Sequence, residues 1–188
     1  MKLDKLAKNI MDKQKKNIAL MGHMGSGKSV LGKLISKQFN FNHVDSDKLI
    51  EKKSNKTINE IFQTKGESYF RLIEENVILE TIYQKKLVLS LGGGSILSPK
   101  IRKALKGNFL TVFLDVDFAI LSKRLIKSKR RPLINDTNIE EKIKELDAIR
   151  RKFYLLADIT LKNHLTITDA FAEFRKKYIE FYEKYNSN

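Results

Sequence analysis

Residues 22–29 read Gly-His-Met-Gly-Ser-Gly-Lys-Ser, which is the spacing G-x-x-x-x-G-K-[ST]. The apolar run Asn17–Met21 comes just before it, and the helix-like stretch Val30–Gln38 just after. A strand that turns through glycines into a helix is the opening unit of a parallel α/β sheet. Glycines let backbone N–H groups point inward around phosphate oxygens, and the following helix aims its positive end at the same place. Gly22, Gly25, Ser26, Gly27 and Val30 are therefore candidates to cradle nucleotide phosphates. Lys28 is placed to reach the β- and γ-phosphates, and the Ser29 hydroxyl to ligate Mg²⁺. A chance match in a chain of this usage is on the order of 1%. The pattern reads as a nucleoside-triphosphate site.

The rest of the chain repeats the alternation. Phe41–Val44, Leu87–Leu91, Phe109–Leu114 and Asp158–Leu161 are further candidate strands, and most of the candidates are nearly continuous apolar runs, as expected for parallel strands buried on both faces. Helical stretches lie at 28–38, 57–84 with breaks, 98–106, 117–127 and 139–156. A last one, 167–185, carries Phe171, Phe174, Tyr178, Phe181 and Tyr182 at 3–4 spacing, a core-facing stripe. The prediction is a three-layer, doubly wound α/β domain with a five-stranded parallel sheet flanked by helices. No repeat or linker marks a second domain, so 17–188 read as one unit, long enough to bury a sizeable core. Residues 1–16 read as a basic, helical N-terminal extension, expected to be solvated.

Composition narrows the function classes. The chain has no Cys, which removes disulfides, thiolate nucleophiles and Cys-based zinc sites. Its histidines, at 23, 43 and 164, lack metal-ligand spacing. No apolar run approaches the roughly 18 residues of a membrane helix, and the N-terminus lacks the apolar block of a signal peptide. The expectation is a cytoplasmic protein without a membrane partner. The net charge of +15 favours anionic partners. Of the cations 29 are Lys, spread over the whole chain, and only 8 are Arg. Arg124, Arg130, Arg131, Arg150 and Arg151 fall within one stretch, which points to a local anion site more than to a nucleic-acid face. Leu121–Arg131 holds six cations and no acid. With the loop signals of Lys127–Asn138 it predicts a mobile cationic lid at about 123–138, closing over a triphosphate and excluding water.

Three further features point to the acceptor side. Asp45 and Asp47 lie at the end of a predicted strand, where ligands bind in open α/β sheets. Asp45 is a candidate for Mg²⁺, and Asp47 for accepting a substrate hydroxyl and its proton; capping of a helix starting near Lys48 is the alternative for Asp47. Gly92, Gly93 and Gly94 follow a buried strand and allow a ligand to approach bare backbone. Arg71 sits in a helical stretch, where pairing with Glu74 and Glu75 is the plainer reading.

In order, the motifs are G-x-x-G-x-G-K-S at 22–29, D-S-D at 45–47, Phe70-Arg71-x-x-Glu74, L-S-L-G-G-G at 89–94, Arg131-Pro132-Leu133, and Arg150 with Tyr154 and Ala157. This set resembles the shikimate kinase family over about residues 17–160. The resemblance implies the nucleoside-monophosphate-kinase fold and transfer of the γ-phosphate of ATP to the 3-hydroxyl of shikimate, with one Mg²⁺ per site, in the route to chorismate and aromatic amino acids. It implies further that Asp47 binds the shikimate hydroxyls and acts as base, and that Arg71 and Arg150 clamp the carboxylate with Gly92–Gly94 against the ring. Arg131 would come from the lid to the transferred phosphate, and Arg124 would lie against adenine. The family pattern also suggests a monomer working on small molecules. Three features depart from it: the extension 1–16, the glycine-free basic lid centre Lys127–Arg130, and Asn163–Asp169, which lacks a clear adenine-loop pattern. The rival readings are a kinase of another small hydroxy acid such as gluconate, a non-catalytic nucleotide-binding scaffold, and a nucleic-acid binder, which would need base-stacking aromatics that the sequence does not display.

Overall fold

The computed structural model describes residues 6, 7, 10, 17–128, 139–162 and 166–186. Along the chain the elements are β1 (Asn17–Met21), α1 (Lys28–Phe39), β2 (Asn42–Asp45), α2 (Ser46–Ser54), α3 (Ile58–Thr81), β3 (Leu87–Ser90), a short 3-10 turn (Ser95–Leu97), α4 (Pro99–Leu105), β4 (Phe109–Asp115), α5 (Phe118–Ser128), α6 (Ile139–Tyr154), β5 (Ile159–Lys162) and α7 (Ile167–Asn186). The strands form one sheet in the order β2-β3-β1-β4-β5, every neighbouring pair parallel.

The side-chain period of two divides β1 between two cores. Ile18 and Leu20 face Leu31 and Ile35 of α1 and Phe174 and Tyr178 of α7. Ala19 and Met21 face the other layer, with Ile78 of α3, Ile101 of α4 and Tyr154 of α6. Fully buried positions such as Leu31 and Ile35 each contribute about 1.5–3 kcal/mol over an exposed side chain. The predicted aromatic stripe of α7 is core: Phe174, Tyr178 and Tyr182 are buried, and Phe181 packs against the same cluster. Ala7 is also buried there, with Ile10 alongside, so this part of the N-terminal extension is packed and not wholly solvated.

Helix starts follow local chemistry. Thr57 and Glu60 form a reciprocal capping box at α3. Ser98 caps α4, whose first residue is Pro99. The breaks expected in 57–84 reduce to one kink, at Gly66, where φ is 78°, a region L side chains avoid. Because the sheet is parallel, β1, β2 and β3 all run their carboxyl ends toward one edge, and the loops carrying the candidate residues gather there. No helix among the described residues is long and apolar enough to cross a membrane.

Candidate active site

The loop after β1 is shaped by contact as much as by conformation. Gly22 has φ 138°, and a Cβ there would stand 2.8 Å from the Leu114 carbonyl oxygen of β4. Only glycine lets the loop pass so near the adjacent strand. Gly27 takes φ 99° and caps the N-terminus of α1, so the first amides of that helix face the loop's interior. Lys28 Nζ donates to the carbonyls of Gly22 at 2.8 Å and His23 at 2.7 Å. Its ammonium is thus folded back over the mouth of the loop.

Asp45 ends β2 and serves two partners. One carboxylate oxygen accepts from the Lys48 amide at 3.2 Å, capping α2; the other accepts from the Ser29 hydroxyl. The capping role weighed for Asp47 therefore falls to Asp45. A hydroxyl and a carboxylate in contact beside the phosphate loop are hard oxygen donors that fit Mg²⁺. The described residues contain no cluster of three or more His, Cys, Asp or Glu that would enclose a metal by itself. Such a pair suits an ion that keeps waters and shares phosphate oxygens.

Asp47 lies in the first turn of α2 and faces the glycine triplet. A Cβ on Gly92 would come within 2.6 Å of Asp47 Oδ1 and 2.7 Å of Glu74 Oε1. On Gly94 it would fall 2.3 Å from Arg71 Nη1, and on Gly93 3.3 Å from Arg150 Nη1. The triplet thus makes room first of all for the site's own charged side chains. The Gly92 amide donates to Ser46 Oγ at 2.8 Å, and Tyr154 donates to the Gly93 carbonyl at 2.5 Å.

Arg71 pairs with Glu74 at 2.7 Å and with Glu67 at 3.0 Å; Glu75 instead holds Ser98 and Lys100. Burial pushes the Glu74 carboxyl above its usual range, with Asp47 adding to the shift and Arg71 and Ser95 partly offsetting it. Arg150 is 6% exposed, and its Nε has no hydrogen-bond partner among the described residues. Burial raises the Tyr154 hydroxyl to about 12, so it stays a donor.

A cleft of about 660 Å³ runs from the phosphate loop to Asp47 and Gly93; Arg71, Glu74, Arg150 and Tyr154 lie behind its walls and do not line it. Its walls include Lys28, Ser29, Val30, Asp45, Asp47 and Gly93, and at the far end Arg124, which donates to the Gly25 carbonyl at 3.2 Å. Thr166, Ile167 and Ala170, at the start of α7, line that end too; sequence reasoning missed them. The Thr166-x-x-Asp169 pattern, whose hydroxyl accepts from the Asp169 amide at 3.1 Å, was the available signal for the helix start. Arg131 lies outside the described residues, as does most of the predicted lid; its first part, 123–128, is the last turns of α5. The pairing of His23 with Asp147 at 2.8 Å was also missed, since nothing local links two residues so far apart in sequence.

A family model described as shikimate kinase matches residues 24–180. The chain is 36% identical over 165 residues to the shikimate kinase of Thermoanaerobacter pseudethanolicus, covering 87% of this chain and 96% of that one. It is 38% identical over 169 residues to that of Thermodesulfovibrio yellowstonii, covering 90% and 96%. Among solved structures, Acinetobacter baumannii shikimate kinase in complex with shikimate superposes with a TM-score of 0.83 at 31% identity, covering 94% of this chain and 97% of that chain. A gluconokinase from Sinorhizobium meliloti reaches 0.67 at 18% identity, covering 92% and 96%, a likeness of fold alone. The motif order, the sheet and these relatives agree: the chain belongs to the shikimate kinase family.

Proposed function

We propose that the chain is an ATP:shikimate phosphotransferase that forms shikimate 3-phosphate and ADP. One observation carries the reading. Gly93 stands between the two halves of the chemistry: a Cβ on it would lie 3.3 Å from Arg150 Nη1, 3.5 Å from the Gly22 oxygen and 3.7 Å from the Met24 amide. An anion-gripping arginine and a phosphate loop meet across one glycine, so an acidic acceptor held by the first lies beside a phosphoryl group held by the second.

Position supports the roles of the described residues, and the family resemblance alone that of Arg131. Amides of 22–30 and Lys28 hold the triphosphate, and Arg124 with the start of α7 borders the base. Arg71 and Arg150 take the acceptor's carboxylate, a planar anion suited to guanidinium forks. Asp47 accepts the hydrogen bond of the 3-hydroxyl. As that oxygen bonds to the γ-phosphorus, the bond from phosphorus to the β,γ-bridging oxygen breaks, ADP leaves, and the hydroxyl proton passes to Asp47. Lys28 stabilises the charge that grows on the departing phosphate, and Arg131 is assigned to the transferring group. Ser29 and Asp45 would hold Mg²⁺, which supplies charge neutralisation on the phosphates when bound. Catalysis of this kind rests on placement and electrostatics. The working form is a monomer without a nucleic-acid partner, and a cytoplasmic location fits a reaction that consumes ATP.

Turnover of ATP with Mg²⁺, measured with shikimate, gluconate or no acceptor, tests the reading. Shikimate-dependent ADP release with a phosphorylated shikimate product is expected. Faster turnover with gluconate would overturn the acceptor assignment, and ATP binding without turnover on any acceptor would leave a scaffold.

A further inference from the structure

His23 and Asp147 are both buried, at 4% and 6% exposure, and neither borders the main cleft. His23 Nε2 and Asp147 Oδ1 are 2.8 Å apart, joining the phosphate loop to α6. The His23 ring stands edge-on to Tyr154 at 5.3 Å and to Phe118 at 6.5 Å, a pocket an apolar ring would fill equally well. A buried imidazole and carboxylate are unfavourable unless each satisfies the other. The pair is therefore either formed, with loop and helix in register, or broken at a penalty.

What lies at each end gives the contact a task. On the loop side, the His23 carbonyl receives the Lys28 ammonium at 2.7 Å. On the helix side, Asp147 is one turn before Arg150, and its second oxygen faces Arg151 at 3.5 Å. Arg151 in turn reaches both carboxylate oxygens of Asp115, at the end of β4, at 3.2 and 3.3 Å. The lysine that faces the donor and the arginine assigned to the acceptor thus hang on the two partners of one hydrogen bond.

We propose that the His23–Asp147 hydrogen bond positions the phosphate loop against α6, fixing the separation between the phosphoryl group held by Lys28 and the acceptor held by Arg150. This inference rests on the phosphotransferase reading above. His23 and Asp147 are positioning residues; neither touches substrate.

The test is steady-state kinetics on the full chain, with ATP and shikimate varied in turn. His23→Phe keeps the aromatic packing and removes the donor, and Asp147→Leu replaces the buried carboxylate by an apolar side chain of similar size. Each is expected to lower kcat by about 10–100-fold, the loss typical of slight misplacement of reacting groups, while both KM values move less than about 3-fold. The double variant is expected to lose no more than either single one, as partners in one contact do. His23→Gln, which restores an amide donor at that reach, is expected to recover most of kcat. Losses that multiply in the double variant, or a His23→Phe kcat within about 2-fold of the parent, would overturn the proposal. Should His23→Phe lack a native thermal transition, Asp147→Leu and His23→Gln decide by the same criteria. Absence of shikimate-dependent turnover in the parent would instead refute the underlying function, whereas an active parent with unaffected variants refutes the positioning role alone.

Discussion

Arg150 has the most telling surroundings of any single side chain. Its guanidinium is buried beside Gly93, and its Nε has no protein acceptor among the described residues. A buried donor without a partner costs about 1–3 kcal/mol, so the folded protein holds a donor ready for an oxygen. Arg150→Ala is expected to raise the shikimate KM by roughly 30-fold, about 2 kcal/mol for a lost charge-assisted contact. The ATP KM should move far less, and Arg150→Lys should recover only part of the loss, because an ammonium cannot offer two parallel N–H groups. Initial rates over a shikimate titration measure this; an unchanged shikimate KM would show the clamp to be misassigned. The local placement of Lys28 and Ser29 at the start of a helix, and of Asp45 and Asp47 where a strand ends, was legible in the sequence, since each pair lies within one short motif, 22–29 or 45–47. The Glu74 carboxyl was half legible: i,i+3 spacing gave its pairing with Arg71, but its bond to Ser95 at 2.6 Å and its nearness to Gly92 depend on how α3 lies across the sheet.

At the scale of elements, the run from β3 into Gly92–Gly94 shows how a backbone without side chains organises charge around it. Four charged side chains, Asp47 from α2, Arg71 and Glu74 from α3 and Arg150 from α6, crowd against it. Gly94→Ala would place a methyl group 2.3 Å from Arg71 Nη1. Because that atom ends a flexible side chain, the guanidinium can shift and stability should fall only modestly, by about 1 kcal/mol. Under the proposed carboxylate role of Arg71, its displacement should raise the shikimate KM by about 10-fold or more while the ATP KM holds. Thermal melts and kinetics on one preparation separate the two effects, and a rise in ATP KM alone would contradict the assignment. The central strands β1, β3 and β4 were legible as apolar runs because parallel strands bury both faces, whereas the edge strand β2 has no buried residue and carries little apolar signal. Helix α2 was read only as a start near Lys48, because a nine-residue segment with mostly charged residues carries little periodic apolar signal. The helical span 57–84 was right in outline, and the structure assigns its break to Gly66.

For the molecule as a whole, pH bears on stability through two histidines, His23 buried and His43 half-buried. Burial lowers the proton affinity of His23, against the pull of Asp147 and with Arg150 and Lys28 adding to the effect. It does the same for His43, which contacts Ser90 at 3.0 Å. The unfolded chain takes up protons at these positions near pH 6.5, where the folded chain resists them. Their contribution to stability is therefore present above that pH and lost as pH falls below it. Glu74, with its raised proton affinity, has the opposite sign: its contribution is lost as pH rises through the carboxylate range. Comparison with the His23→Gln, His43→Gln double variant isolates the histidines. The fall in Tm between about pH 7 and pH 5.5 is expected to be smaller in the variant, and equal slopes would refute the assignment. The sheet class was legible from alternation of strand and helix, but contacts such as His23 with Asp147, 124 residues apart, arise only once β1 and α6 are brought together.

The candidate site residues come from separate stretches that include the loop after β1, the end of β2 with α2, α3, the glycine triplet and α6. No contiguous fragment holds a working subset. A nucleotide and an acceptor seated together would therefore act as a temporary cross-brace, tying distant parts of the chain through bonds that the bare polypeptide cannot make with itself. Since such ligands favour only the assembled state, the supply of substrate becomes one of the quantities that decides how long each copy of the protein stays folded.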